Sequence, residues 1–233
     1  MEVFQYSGIG QRAANQDYVL CKELPNNLGN LFIVCDGMGG YVAGDVAARV
    51  ACEEIFAQLS LGHSIDLAIS SANSKINEQK QIVGTDKMGC TVAACLIKNN
   101  EAYIFWCGDS RVYLIKDGNV LFVTKDHSML EDIKNARPLT PSDIKRYSHI
   151  ITRSLMGNET DVVDKIVLPL QGDMRIMICS DGFHKELDDD IIATIDVEEA
   201  VKNNNMYEDN YSVIDIDLLT HNEKSGMNRE KCD

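Results

Sequence analysis

Four aspartates sit where an apolar, strand-like run ends or begins: Asp36 after FIVC, Asp109 after IFWCG, Asp181 after IMICS and Asp209 shortly before SVIDI. A carboxylate at a strand end lies at the rim of a sheet, where distant parts of a chain can converge. Brought together there, like charges repel and resist ionisation unless a cation sits among them. The chemistry this pattern suggests is that of a divalent metal centre. Oxygen donors with little imidazole or thiolate beside them suit Mg2+ or Mn2+ better than zinc. The five histidines form no HxxxH or HxH pair, which also argues against zinc. Taken singly, each aspartate reads as an ordinary turn or cap residue. The company they keep shifts the balance. Asp-Gly follows an apolar run twice, at 36–37 and 181–182, and glycine leaves its backbone carbonyl open to a close ligand.

The elements that must carry these residues are legible in part. LFIVC (31–35) reads as a buried strand. From Ala43 the pattern changes: Ala47, Ala51, Ile55 and Leu59 recur every four residues, giving an amphipathic helix that ends near Gly62. A second helix follows, with Ser64 as N-cap and Ile65, Ala68, Ile69, Ala72 and Ile76 at helical spacing, and the two are expected to pack antiparallel. TVAACLI (91–97), EAYIFWC (101–107), RVYLI (111–115) and NVLFVT (119–124) read as strands joined by short turns, hence as antiparallel neighbours. Strands resume at 162–168 and 175–179. In SVIDIDL, Val213, Asp215 and Asp217 are expected on a wet face and Ile214, Ile216 and Leu218 on a buried one. Between 129 and 150 the strand pattern lapses, Thr140-Pro141 offers a helix start, and an excursion of this size is expected to be a functional flap. Asp196-x-x-Glu199 resembles a capping box. A helix pair, many strands and helical pieces between strands imply stacked sheets with helices on the outer faces rather than a doubly wound nucleotide fold.

Composition narrows the function. Of 233 residues, 45% are apolar and 25% charged, which supports a real core. We expect one domain over 1–219 and a flexible, polar tail at 220–233. Lys and Arg number 22 against 36 Asp and Glu, a net charge of −14, which disfavours nucleic acid and anionic membranes as partners. Eight cysteines include no CxxC pair, and several lie inside apolar runs, which points to a reducing, cytoplasmic setting. No basic-then-apolar leader pattern and no apolar run of ~18 residues occurs, so neither export nor membrane insertion is expected.

Ordered motifs then carry a specific resemblance. RAANQD (12–17), VCDGMGGYVAGDVAA (34–48), GCTVAACLI (89–97), GDSRVYLIKDG (108–118), TKDHS (124–128), ITRSLMG (151–157), CSDGF (179–183) and DNYSVIDI (209–216) follow one another along residues 6–219. Together they resemble the metal-dependent protein phosphatases of the protein phosphatase 2C (PPM) family, in their compact bacterial form. The fold this implies is α+β, a four-layer α/β/β/α sandwich of two mainly antiparallel sheets flanked by helices. The function it implies is hydrolysis of phosphoserine and phosphothreonine in proteins by metal-activated water at a binuclear Mn2+ or Mg2+ centre, opposing a Ser/Thr kinase. By the resemblance, Asp36 bridges both ions, the Gly37 carbonyl binds one, and Asp181 and Asp209 complete the set. Asp109 helps hold a weaker third ion, Asp17 orients water from behind, and Arg12 receives the substrate phosphate with its bidentate fork. No thiol acts: Cys35, Cys107 and Cys179 read as core residues, and no C-x5-R loop is present. His127 reads as structural rather than as an acid.

Two departures stand out. Met38 occupies a place where eukaryotic relatives resemble D-G-H-G. Asp181 and Asp209 are 28 apart, where the family usually resembles something longer, so one outer helix is expected to be cut short (EEAVKN as its stump), exposing apolar sheet that a partner or second copy could cover. The flap brings Arg137, Lys145 and Arg146 to an otherwise acidic chain. Two competing readings stay open: a non-catalytic, partner-binding domain of the same fold, and an acidic cation-binding sandwich without hydrolysis. Oligomeric state is not legible.

Overall fold

A computed structural model describes residues 1–38, 43–185, 187–202 and 207–218. The expected tail at 220–233 and the Gly39–Val42 part of the glycine-rich motif lie outside the described residues. Two five-stranded sheets form the centre. One runs β1 (Glu2–Gly8), β10 (Tyr211–Leu218), β9 (Met174–Cys179), β6 (Arg111–Lys116), β7 (Asn119–Val123). The other runs β2 (Asp17–Leu24), β3 (Gly29–Asp36), β4 (Val92–Lys98), β5 (Glu101–Cys107), β8 (Asp164–Pro169). Every pairing is antiparallel.

Strand β3 shows why its sequence is an unbroken apolar run. Phe32 and Val34 face the other sheet, packing with Ala93, Ile104, Val112, Ile176 and Ile214. Leu31, Ile33 and Cys35 face the helix pair and pack with Ala47, Ala51, Ile55, Ala72 and Ile76. A strand covered on both faces has no position for a polar residue. The helices are α1 (Gly44–Ser60) and α2 (Ile65–Val83), the latter capped by the Ser64 hydroxyl, which accepts from the Leu67 N–H. Ser71 ties them together by donating to Glu54 at 2.5 Å.

The opposite outer layer corrects an expectation. The segment after β9 is indeed cut into short pieces, α5 (Asp181–His184), α6 (Asp189–Thr194) and α7 (Val197–Ala200), with Asp196 capping the last. They nevertheless cover the sheet: Phe183, Ile192, Val197 and Val201 pack on Tyr113, Met177, Cys179, Tyr211 and Val213, all buried. Among the described residues, Phe4 and Tyr6 of edge strand β1 and Val120 and Val123 of edge strand β7 remain half-open at its two margins. The same layer overturns the reading of β10, because Val213, expected on a wet face, is fully buried beneath it. Asp215 on that face forms a bidentate pair with Arg175 at 2.6 and 2.8 Å.

The excursion after β7 contains two helices, α3 (Met129–Ala136) and α4 (Pro141–Tyr147). Thr140 and Asp143 make a full capping box, and Asp143 also holds Arg137 at 2.7 and 2.9 Å. Arg137 is therefore a clasp inside the flap, not a free cation. No helix among the described residues is long and apolar enough to cross a membrane.

Candidate metal centre

Strand register brings the aspartates to one rim. Cys179 of β9 lies opposite both Val213 of β10 and Arg111 of β6. Asp181 stands two residues past β9, while Asp109 stands two before β6 and Asp209 two before β10, so all three leave the first sheet at the same end. In the second sheet Asp17 lies directly opposite Asp36. The two rims enclose a cleft of about 820 Å³, lined among others by Arg12, Asp36, Gly37, Asp109, Asp181 and Asp209. Asp17 is buried behind Asp36, where its Oδ2 accepts from the Ser180 hydroxyl at 2.8 Å. Arg12, Asp36, Gly37, Asp109, Asp181 and Asp209 thus fall at the cleft, with Asp17 immediately behind it, whereas Arg137, Lys145 and Arg146 of the flap do not line it. The flap contributes His149, Ile150 and Ile151 to its wall.

Residues the sequence reading passed over hold this rim in place. Thr91 Oγ1 accepts the Asp36 N–H at 3.0 Å and lies 2.7 Å from the Ser110 hydroxyl, both side chains buried. Asn210 fixes the loop that carries Arg12: it accepts from the Gln16 N–H and donates to the Ile9 and Ala14 carbonyls at 2.8–2.9 Å. His184 donates from Nε2 to the Asp109 carbonyl at 2.9 Å. On the other side of the same loop, His127 Nδ1 accepts the Gly108 N–H at 3.1 Å while Nε2 meets Asp164, and the ring stacks on Trp106. These contacts tie His127, which reads as structural in the sequence, to the loop carrying Asp109. Beneath them Arg111 grips Asp126 through two bonds of 2.7 and 2.8 Å. The visible signal was membership of the ordered motifs: Thr91 lies in GCTVAACLI, Ser110 and Arg111 in GDSRVYLIKDG, and Asn210 in DNYSVIDI.

Close backbone approach accounts for both Asp-Gly glycines. A Cβ on Gly37 would meet the Gly44 carbonyl at 2.3 Å, and one on Gly182 would meet the Asn210 carbonyl at 2.1 Å. The first contact packs the start of α1 against the end of β3, and the second lets α5 abut the loop entering β10.

The electrostatics show what the rim lacks. Burial, then repulsion from Asp17, Asp181 and Asp109, pushes the Asp36 carboxyl well above its ordinary range. Burial raises Asp17 to about 6, against hydrogen bonds from Ser212 and Ser180 and with added repulsion from Asp181. Burial and repulsion from Asp181 and Asp126 raise Asp109 to about 7. Asp17 Oδ1 and Asp109 Oδ1 are buried without a hydrogen-bond partner among the described residues. Also among these, no group of three or more His, Cys, Asp or Glu side chains is drawn together closely enough to hold a metal ion. Carboxylates that share a cleft without closing on a point fit a hard cation that keeps water in its shell. Two orphaned buried oxygens fit the same reading, because an unpaired buried acceptor is costly. Arg12 meets Asp209 at 2.5 Å, and Lys185 lies 3.6 Å from Asp181. The thiols offer no alternative: Cys35, Cys107 and Cys179 are buried and burial raises each, Cys107 to about 12.

Comparison with known proteins agrees with this arrangement. A family profile described as Protein phosphatase 2C matches residues 5–209. Serine/threonine protein phosphatase PstP of Mycobacterium tuberculosis is 30% identical over 191 residues, which cover 78% of this chain and 36% of that protein. This chain therefore spans about a third of that curated relative. Protein phosphatase PhpP of Streptococcus pneumoniae is 29% identical over 196 residues, 78% of each chain. The catalytic domain of PstP, solved in complex with two manganese ions, superposes with a TM-score of 0.77 at 26% identity, covering 92% of this chain and 96% of that one. With the profile running from β1 to Asp209 and the two-sheet architecture shared, the chain belongs to the protein phosphatase 2C family.

Proposed function

We propose that this protein hydrolyses phosphoserine and phosphothreonine in phosphorylated proteins, opposing a Ser/Thr kinase in the cytoplasm, with residues 1–219 acting as one catalytic unit. The observation that carries this reading is the meeting of Asp36, Asp109, Asp181 and Asp209, from four separate chain segments, with Arg12 in one cleft. Asp36, the Gly37 carbonyl, Asp181 and Asp209 would hold two divalent ions, Mn2+ or Mg2+, and Asp109 would help hold a weaker third. When bound, such ions acidify water and offset the negative charge of a phosphoryl group under attack. Arg12 supplies a planar fork for two phosphate oxygens; its present partner Asp209 is a carboxylate of matching geometry. Asp17, backed by Ser180, presents a carboxylate from behind Asp36 that orients water entering the cleft. His149 to Ile151 at the base of the flap border the approach of the phosphorylated segment.

The test is hydrolysis of p-nitrophenyl phosphate and a phosphothreonine peptide with Mn2+, with chelator, and in Asp36→Asn and Asp181→Asn. Chelator and either substitution are expected to lower the rate by at least about 100-fold, the scale of removing a Lewis acid that contributes several kcal/mol. Activity that persists in all three overturns the proposal. Stoichiometric metal binding without turnover in the wild type would instead favour the cation-binding or partner-binding alternatives, against which the joint presence of Arg12 and the four rim aspartates speaks.

A further inference from the structure

In-line attack on phosphorus expels the departing oxygen on the side opposite the incoming water. When that oxygen belongs to a serine or threonine side chain it leaves as a strongly basic alkoxide, and a proton donor placed beside it speeds the step by roughly 10²- to 10⁴-fold. Few groups lining the cleft can serve. Asp36, Asp109, Asp181 and Asp209 are the carboxylates of the rim. Arg12 is engaged with Asp209, and a guanidinium keeps its protons. Lys185 is drawn to Asp181, Thr91 is committed to the Asp36 N–H and the Ser110 hydroxyl, and Met38 has no proton to give.

His149 differs from all of these. It lines the cleft from the flap and is exposed. Among the described residues its ring has no hydrogen-bond, ion-pair or ring partner. The rings of His63, His127 and His184 are each engaged, by Gln58, by Gly108 and Asp164, and by the Asp109 carbonyl. The backbone that carries His149 is nonetheless pinned. The Ile150 N–H donates to the Tyr147 carbonyl at 3.1 Å, and the Ile150 carbonyl accepts from Met129 at 2.9 Å. Ile151 bridges to Ser128, and the Thr152 N–H donates to the His127 carbonyl at 2.8 Å. A free ring on a fixed backbone is placed to meet whatever enters the cleft.

We propose that His149 is the proton donor to the departing serine or threonine oxygen. The proposal rests on the phosphatase reading above. As water oxygen bonds to phosphorus, the bond from phosphorus to the side-chain oxygen breaks and its electron pair stays on that oxygen. The oxygen takes the proton of the His149 imidazolium and leaves as a hydroxyl. The proton shed by the attacking water goes to solvent, from which the neutral imidazole regains its own. The flap then takes part in the chemistry as well as bordering the entrance, and the protein is suited to alkyl phosphates, whose leaving groups most need a proton.

The experiment measures kcat of wild type and His149→Gln with Mn2+ on a phosphothreonine peptide, phenyl phosphate and p-nitrophenyl phosphate, whose departing oxygens are progressively less basic. Loss of a proton donor costs more as that basicity rises, so the expected falls are about 100-fold on the peptide and about threefold on p-nitrophenyl phosphate, with phenyl phosphate between them. Equal falls on all three would mean that His149 only positions the flap or the phosphate, and an unchanged peptide rate that it does neither; both overturn the proposal and leave the phosphatase reading intact. A wild type inactive on every substrate sinks that reading and this proposal with it. A readout independent of turnover is nuclear magnetic resonance of ring-labelled histidine in the wild type, with Mg2+ and a non-hydrolysable phosphonate analogue of the peptide. The His149 signal is expected to shift when the analogue binds, and a signal that stays in place refutes the contact. Circular dichroism of His149→Gln checks that the fold is retained.

Discussion

Replacing Thr91 by valine removes one oxygen and nothing else of consequence. Thr91 is 1% exposed, and its Oγ1 is the acceptor for the Asp36 N–H at 3.0 Å and the partner of the Ser110 hydroxyl at 2.7 Å. Valine keeps the shape and the strand preference, so no cavity is created. Two polar groups lose their partner in a dry place, each at a cost of about 1–3 kcal/mol. The Ser110 hydroxyl can turn on its bond, which lowers its share, so the expected loss is about 2–4 kcal/mol. Thr91→Ser retains the oxygen and deletes only a methyl group that lies against Gly108, at about 1 kcal/mol. Equilibrium urea unfolding in chelator at pH 7, followed by fluorescence of the single tryptophan, Trp106, measures both. If T91V is as stable as T91S, the hydroxyl does not anchor the end of β3, and the account of how Asp36 is held fails.

Two further outcomes are expected. Burial first, and then the Arg111 charge, lower His184 to about 4, against an ordinary value of 6.5. A histidine held neutral by the fold contributes stability above the unfolded pKa and loses it as pH falls towards the folded one. Between pH 7 and 4.5 the wild type should therefore lose about 2–3 kcal/mol more than His184→Gln, and equal losses in urea titrations of both proteins at the two pH values would refute this. Arg111→Met leaves Asp126 half-buried without its two-bonded partner and should cost about 3 kcal/mol; a change below 1 kcal/mol in the same unfolding assay would show that the pair does not brace the Asp109 loop.

The parts of this fold that were legible from sequence are those buried on both sides or given a sharp cap. The runs that became β3, β4 and β5 are apolar without interruption because sheet and helices enclose them, and Ser64 and Thr140 mark helix starts through side-chain oxygens that do accept the expected N–H groups. Strand β1 escaped notice because it is an edge strand, where Glu2, Gln5 and Ser7 alternate with half-buried aromatics. Helix α3 escaped because it is only eight residues long and buries none of them fully, although Met129, Leu130, Ile133 and Ala136 recur at helical spacing. At the site, an aspartate at a strand end is visible in a linear text. The roles of Thr91 and Asn210 are not, because they depend on which remote segment lies opposite. The buried Val213 was misread for a similar reason: alternation along a strand reports two faces, and three helices of 4 to 6 residues, too short for a periodic signal, turned out to cover the second.

Strand β1 pairs along its whole length with β10, Glu2 with Asp217 through Gly8 with Tyr211. The arginine loop hangs from the first of these strands and the last rim aspartate precedes the second. During synthesis, then, the opening segment has no neighbour to join until some two hundred residues later have left the ribosome. A nascent chain halted anywhere before β10 has neither a closed first sheet nor a complete cleft. On the proposed reading, the cleft would be complete only once β10 has paired with β1 and β9.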